Sequence, residues 1–427
     1  MVLSSSLPME TILLLLVVAG YVAITFEGSF KIDKTATALL MGLGCWILLF
    51  IIAPTGIDTE KEFAHHLGET AAVILFLLGA MTIVELIDRH HGFDAFIRFL
   101  ATPSPSALVW RISIATFLLS ALLDNLTTTI AMCAMARRLV ADRERRLWIA
   151  ALIIICANAG GAWSPMGDVT TSMLWIGGQV STAGVIAATI VPSISVALVP
   201  TVICSLRLRS TPAFTVAVMP SSSSYGTPIL VTGTALFLVV PVLAASFHVP
   251  PVAGMLFALA VMWLVVTVVH RTLDGEERER LGVAQAMRNI DTPTILFFAG
   301  LLLSIGALST SGHIGAWATW IATAVPQSTG IAVILGLASA VIDNIPLVAA
   351  SQKMFPLQMF PMDHPFWNLL ALTTGTGGSI IIFGSAAGVA VMGMEDISVG
   401  WYAKRISILA LAGFIAGIAV FIAMHGS

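Results

Sequence analysis

Residues 117–138 read FLLSALLDNLTTTIAMCAMARR. Asp124 and Asn125 stand in the middle of a run otherwise fit for hydrocarbon. A carboxylate at the centre of a bilayer costs at least about 2.5–3.5 kcal/mol on insertion scales. What offsets that cost decides the fold.

The surrounding chain leaves little doubt that hydrocarbon is the solvent. It has 427 residues, 58% hydrophobic and only 10% charged, with a mean hydropathy of +0.97. Soluble domains carry about 25% charge, so an all-α polytopic membrane protein is expected, with the lipid bilayer as its partner. The net charge of −3 points to no charged partner, and no basic run recommends nucleic acid. Cys45, Cys133, Cys156 and Cys204 lie in apolar segments without metal-ligand spacing and read as small hydrophobes. Residues 11–26 are apolar enough for a signal peptide. They lack a basic n-region and a small-residue cleavage site, so they read as a first span.

A span needs about 20 apolar residues. About ten are expected, near 10–26, 36–54, 68–88, 147–178, 180–205, 228–247, 252–270, 292–311, 366–392 and 406–424. Those at 147–178 and 366–392 are long and interrupted by Gly, Ser, Thr and Asn. Two more apolar stretches, 106–139 and 329–353, carry Asp-Asn at their centres, and their halves read as too short to cross alone. Each is expected to be a re-entrant hairpin, because non-helical backbone at that depth survives only inside protein or beside water. With both ends of 106–139 cytoplasmic, 17 of the 20 Lys and Arg fall on the cytoplasmic side, as the positive-inside rule requires. Both termini then lie outside the cytoplasm.

The two Asp-Asn stretches belong to a repeat. LLDNLTTTIA stands against VIDNIPLVAA, and NAGGAWSPMGDVTT against GTGGSIIIFGSAAG. The first half, 1–205, begins outside and the second, 292–427, inside. The halves are therefore inverted, as in many secondary transporters, with 206–291 as a linker region of two spans. Packing about a pseudo-two-fold axis gathers the hairpin tips and helix breaks at the midplane. The principal residues there are Asp124, Asn125, Asn158, Asp168, Asp343 and Asn344. Around them come Ser120, Thr127, Gly160, Gly161, Ser164, Ser339, Thr374, Thr376 and Ser385. Carboxylate, amide, hydroxyl and carbonyl oxygens suit a hard cation such as Na⁺ or Li⁺. No Arg or Lys belongs to this set, which argues against an anionic cargo. A buried carboxylate holds a proton when its cation is absent, because desolvation penalises the ionised form. Competition of H⁺ and Na⁺ for the same oxygens gives antiport, with no cofactor needed. Glu85, near the cytoplasmic end of its span, reads as a proton relay or pH sensor. The plainer readings are helix caps for Asp124, Asp343 and Asp168, and solvated loops for the His65-His66 and His90-His91 pairs.

DNLTTTI, NAGGAWSPMGDVTTSMLW, DNIPLVAA and MTIVELID resemble the NhaD-type sodium/proton antiporters. These belong to the ion transporter superfamily, with the arsenite and citrate permeases. The resemblance implies exchange of cytoplasmic Na⁺ or Li⁺ for external H⁺ across a bacterial inner membrane. It carries the family's essential positions onto Glu85, Asp124, Asn125, Asn158, Asp168, Asp343 and Asn344. Superfamily relatives imply a homodimer. GTGGSIIIFGSA offers no acid to match Asp168, so an asymmetric site is expected. Two other readings remain: an anion permease on the same scaffold, for arsenite or a dicarboxylate, and an intramembrane aspartyl protease using Asp124 and Asp343. The second is disfavoured because PMGD lacks the first glycine of the GxGD signature.

Overall fold

A computed structural model describes residues 9–25, 33–52, 58–92, 100–209, 225–272, 274–325, 327–342, 344–382 and 384–426. Among these residues the ordered elements are helices. The first half contains α1 (Met9–Thr25), α2 (Lys34–Ile52), α3 (Thr59–Arg89), α4 (Pro105–Leu123), α5 (Asn125–Leu139), α6 (Arg143–Gly161), α7 (Val169–Ile176) and α8 (Thr182–Leu208). The middle holds α9 (Gly226–Phe247), α10 (Pro251–Val269), a short 3₁₀ turn (His270–Thr272), α11 (Gly275–Leu281) and α12 (Val283–Asn289). Then follow α13 (Thr292–Thr310), α14 (His313–Ala324), α15 (Ser328–Ala338), α16 (Asn344–Met354), α17 (Pro365–Gly377), α18 (Ala386–Glu395), α19 (Val399–Arg405) and α20 (Ser407–His425). Eight of the helices are long and apolar enough to cross a membrane.

Local chemistry sets the ends of these helices. Ser104 caps α4 ahead of Pro105, Asp142 caps α6, Ser181 caps α8 and Asp291 caps α13, each accepting from a backbone N–H of the first turn. The expectation that neither half of 106–139 could cross alone is wrong for its first half. Capped at Ser104, α4 runs 19 residues, about 28 Å. The chain nevertheless turns at Asp124, where φ is 88°, and α5 packs back on α4. The third span is also longer than its apolar run. α3 has 31 residues and begins with TEKEFAHH, capped by Asp58.

The two interrupted spans are α6 with α7, and α17 with α18. Their irregular segments, 162–168 and 378–385, lie mostly buried in protein, the condition under which unwound backbone is tolerable in a bilayer. Freed carbonyls find partners there: Ser172 Oγ donates to Pro165 O and Tyr402 OH to Ser379 O, both at 2.8 Å. The same contacts recur in both halves. Ser120 Oγ donates to Ala157 O at 2.6 Å, and Ser339 Oγ to Thr374 O at 2.7 Å. Gly160 lies against the Phe117 carbonyl and Gly377 against that of Gly336. In each half a hairpin arm and a broken helix touch backbone to backbone through a glycine.

At the end rich in arginine, Glu395 closes the assembly. Its carboxylate is buried and accepts from Arg137 Nε at 2.6 Å and Arg146 Nε at 2.9 Å. This ties the end of α18 to α5 and α6. The four cysteines are buried and unpaired. His66 and His90 correct the reading of the histidine pairs as solvated loops. Both are buried, because α3 extends past its apolar run and carries them into packed surroundings.

Candidate functional site

Asp124 is the hinge of the first hairpin. It ends α4 and caps α5, with Oδ1 accepting from Thr127 N at 2.9 Å and Oδ2 from Thr127 Oγ1 at 2.7 Å. Its φ of 88° and ψ of 154° lie in a region that is essentially glycine's alone. Asp168 repeats the arrangement at the helix break. It caps α7, with Oδ1 accepting from Thr170 N at 3.4 Å and Oδ2 from Thr170 Oγ1 at 2.8 Å. Asn344, first residue of α16, donates from Nδ2 to Asp168 Oδ2 at 3.4 Å, bringing the second half into the same cluster. Each carboxylate thus sits where helix N–H groups and dipole favour negative charge.

A cavity of about 50 Å³ opens among these groups. Asp124, Asn125, Thr127, Asp168 and Asn344 line it, with Ser172 of α7 and Thr294 of α13. Apolar walls come from α3, including Leu77 and Met81, and from Phe298. About 10–15 Å³ of such space holds one water, so the cavity has room for a small cation with a few waters. Among the described residues, no Lys or Arg belongs to the lining. Among the described residues, no group of three or more His, Cys, Asp or Glu could hold a metal ion. The donors that face the cavity are carboxylates, amides and hydroxyls, an oxygen set that suits a hard cation.

Asn158 stands behind this cavity as a strut. It is fully buried, accepts from Asn125 Nδ2 at 3.0 Å, and donates to Ser379 Oγ at 2.8 Å and Ser385 Oγ at 3.1 Å. It therefore joins the first hairpin to the break in the second half. Asn158→Ala leaves the buried Asn125 amide and both hydroxyls short of partners, at about 1–3 kcal/mol for a buried unsatisfied group. The variant is expected to melt several degrees lower in detergent, as read by loss of monodisperse protein on heating.

The other sequence candidates fall outside the cavity lining. The hydroxyls of Ser120, Ser339, Thr374 and Thr376 go to backbone carbonyls. Ser164 Oγ accepts from Met166 N, and Gly160 and Gly161 make close backbone approaches. Ser385 caps α18 as Asp168 caps α7, so the second break answers the carboxylate with a hydroxyl. Asp343 lies outside the described residues. Glu85 is one α3 turn past Met81, half-buried, and accepts from Arg89 Nε at 2.9 Å and Asn289 Nδ2 at 3.1 Å. Met81, Ser172 and Thr294 line the cavity without having been singled out in the sequence. The i, i+4 row Leu77–Met81–Glu85 was the available signal for Met81.

Comparison with known proteins gives the family and the fold. Residues 21–375 match the family described as Citrate transporter. Sodium/proton antiporter 2 of Arabidopsis thaliana is 40% identical over 95% of this chain and 97% of its own length. The Na(+)/H(+) antiporter NhaD of Alkalimonas amylolytica is 31% identical over 94% of this chain and 88% of its own. In fold, the chain is similar to the Alcanivorax borkumensis YdaH transporter, with a TM-score of 0.56 and 12% identity over 98% of each chain. A transporter scaffold, the Asp-Asn hinge and the NAGGAWSPMGD break thus occur in one chain, which belongs to the NhaD-type sodium/proton antiporters within the citrate-transporter family.

Proposed function

We propose that this chain is a secondary antiporter, exporting Na⁺ or Li⁺ from the cytoplasm in exchange for protons. One observation carries the reading: two carboxylates and two amides surround a small cavity that, among the described residues, no cationic side chain lines. Cation and proton compete for Asp124 and Asp168, so one leaves as the other binds. The names of the relatives, sodium/proton antiporters of plants and bacteria, support the same exchange. No cofactor is required, since the membrane gradients supply the energy. Each net charge moved couples to the potential by about 2.3 kcal/mol per 100 mV. In inside-out vesicles with a respiration-generated pH gradient, Na⁺ or Li⁺ is expected to collapse part of that gradient. No collapse anywhere from neutral to alkaline pH would refute the exchange.

The anion-permease reading fares worse on the same cavity, because no Lys or Arg among the described residues lines it to meet an anion. For the protease reading, the carboxylate that shares the cavity with Asp124 among the described residues is Asp168, a helix cap, and the signature GxGD is incomplete at PMGD.

The setting we propose is a bacterial inner membrane, with a homodimer as the assembly and the halves in inverted orientation. The arginine-rich end that holds Arg137, Arg146 and Arg405 faces the cytoplasm, which leaves both termini on the opposite side. A fluorescent protein that matures only in the cytoplasm is expected to stay dark when fused after Ser427 and to fluoresce when inserted between α11 and α12. The reverse pattern would overturn the orientation.

A further inference from the structure

The cytoplasmic end of α3 carries a buried pair of imidazoles that the exchange site does not use. His90, just past α3, and His270, just past α10, are 1% and 2% exposed. Their Nε2 atoms are 2.8 Å apart and their rings are stacked, with centroids 5.0 Å apart. The tautomers follow from the partners. His90 Nδ1 is 2.6 Å from the Leu86 carbonyl, so it carries a hydrogen, and in a neutral ring its Nε2 is a bare acceptor. His270 Nε2 is then the donor. One N–H···N bond joins the two rings.

The segment that follows His270 lies along the same helix end. Arg278 Nε donates to His270 O at 3.1 Å, Arg89 donates to the Arg280 carbonyl, and Asn289 holds Glu85. Ala286 and Val283 of α12 are buried on the α3 side. The charged groups around the pair are Asp88, Arg89 and His91 from the end of α3, and Arg271 and Arg278 from beyond α10. α9 meets the pair through Gly226, which lies against the His90 and His91 carbonyls.

We propose that the His90–His270 bond is a proton-sensitive latch, holding α11 and α12 across the cytoplasmic end of α3 and keeping Asn289 on Glu85. A first extra proton goes to the far nitrogen of His270 and places a buried charge beside Arg278 and near Arg89. A second puts two N–H groups face to face. Burial lowers the proton affinity of both rings below the ordinary imidazole value, with Arg89 and His91 adding to this at His90, and Arg278 at His270. Both rings therefore bind protons more readily when the latch is open. The closed form is favoured above the ordinary pKa of 6.5 and loses ground as pH falls below it. Opening takes Asn289 from Glu85, which keeps Arg89 as its partner and stands one helical turn from the cavity residue Met81.

The test reads the latch without transport. The native cysteines are buried, so Ala286→Cys reports on the α3-facing side of α12, and Ala284→Cys, at an exposed position of the same helix, serves as reference. Each variant is labelled with an impermeant maleimide on protein in liposomes. The labelling rate of Ala286→Cys divided by that of Ala284→Cys is expected to rise about tenfold between pH 8 and pH 5.5, in the range where histidine titrates. His270→Gln keeps an N–H donor that does not titrate and should hold the ratio low throughout. Val283→Cys, also buried, repeats the measurement where Ala286→Cys disturbs packing. A ratio that ignores pH, or that rises equally with His270→Gln, overturns the latch. A switching ratio in a protein that moves no Na⁺ leaves the latch standing and refutes the antiport reading alone.

Discussion

Asp124→Asn is expected to abolish cation-dependent proton movement, to below about 1% of wild type, while the protein still inserts and stays monodisperse. The substitution keeps the shape at the hinge between α4 and α5. It removes the charge that draws a cation into the cavity and the oxygen that a proton can occupy in its place. Two orders of magnitude correspond to only about 2.7 kcal/mol, which is modest for a lost charged ligand. Insertion becomes easier, since a carboxylate is among the most costly groups at that depth. Asp124→Gly separates function from stability more sharply. A φ of 88° with a ψ of 154° strains any residue but glycine, by about 1–3 kcal/mol, whereas replacing a capping side chain by glycine costs only a few tenths. Asp124→Gly should therefore be inactive yet melt higher than wild type. Retained exchange in either variant would remove Asp124 from the site. A lower melting point for Asp124→Gly would show that the hinge conformation is not strained.

The sequence was informative here because an acid inside an apolar run is a conflict that local structure alone does not resolve, and such conflicts collect at functional sites. The strained φ at Asp124 was not legible there. The paired Asp-Asn stretches and the Gly-rich breaks exposed the architecture for the same reason. What stayed hidden depends on contacts between distant segments. Glu395 stands in GMEDIS with no local signal of Arg137 and Arg146, the arginines it holds from about 250 residues away. His90 finds His270 180 residues away. The repeat sets Ser385 opposite Asp168 and shows that no acid stands there, but not what the two residues share. The position is defined by capping, which Ser385 performs with a hydroxyl. Thr294 lines the cavity from a capped helix that carries no motif, and Met81 from MTIVELID, where the acid Glu85 drew the reading instead.

Gly377→Ala should prevent the protein from accumulating in folded form, although it adds a single methyl group. A Cβ at that position would fall inside the envelope of the Gly336 carbonyl oxygen and 3.0 Å from its carbon. The obstacle is backbone within α15, so no rotamer change relieves it. α17 would have to move away from α15, and the Ser339–Thr374 bond joins the two helices within a few residues of the contact. Gly160→Ala meets the same fate in the first half, where a Cβ would lie 2.9 Å from the Phe117 carbonyl carbon and Cα. Losses above about 4 kcal/mol are uncommon for point substitutions and arise from just this kind of forced overlap or from buried unpaired groups. The controls lie in the same chain. Gly68 in α3 and Gly393 in α18 have open space where a Cβ would go. Alanine there is expected to raise stability by about 0.5–1 kcal/mol, since glycine is the poorer helix former. Fluorescence-detected size-exclusion of tagged variants, with a heating series, measures all four. A folded Gly377→Ala melting within a few degrees of wild type would mean that the broken helix can move off its hairpin at little cost. The close glycine contacts would then not be what fixes the unwound segments around Asp124 and Asp168.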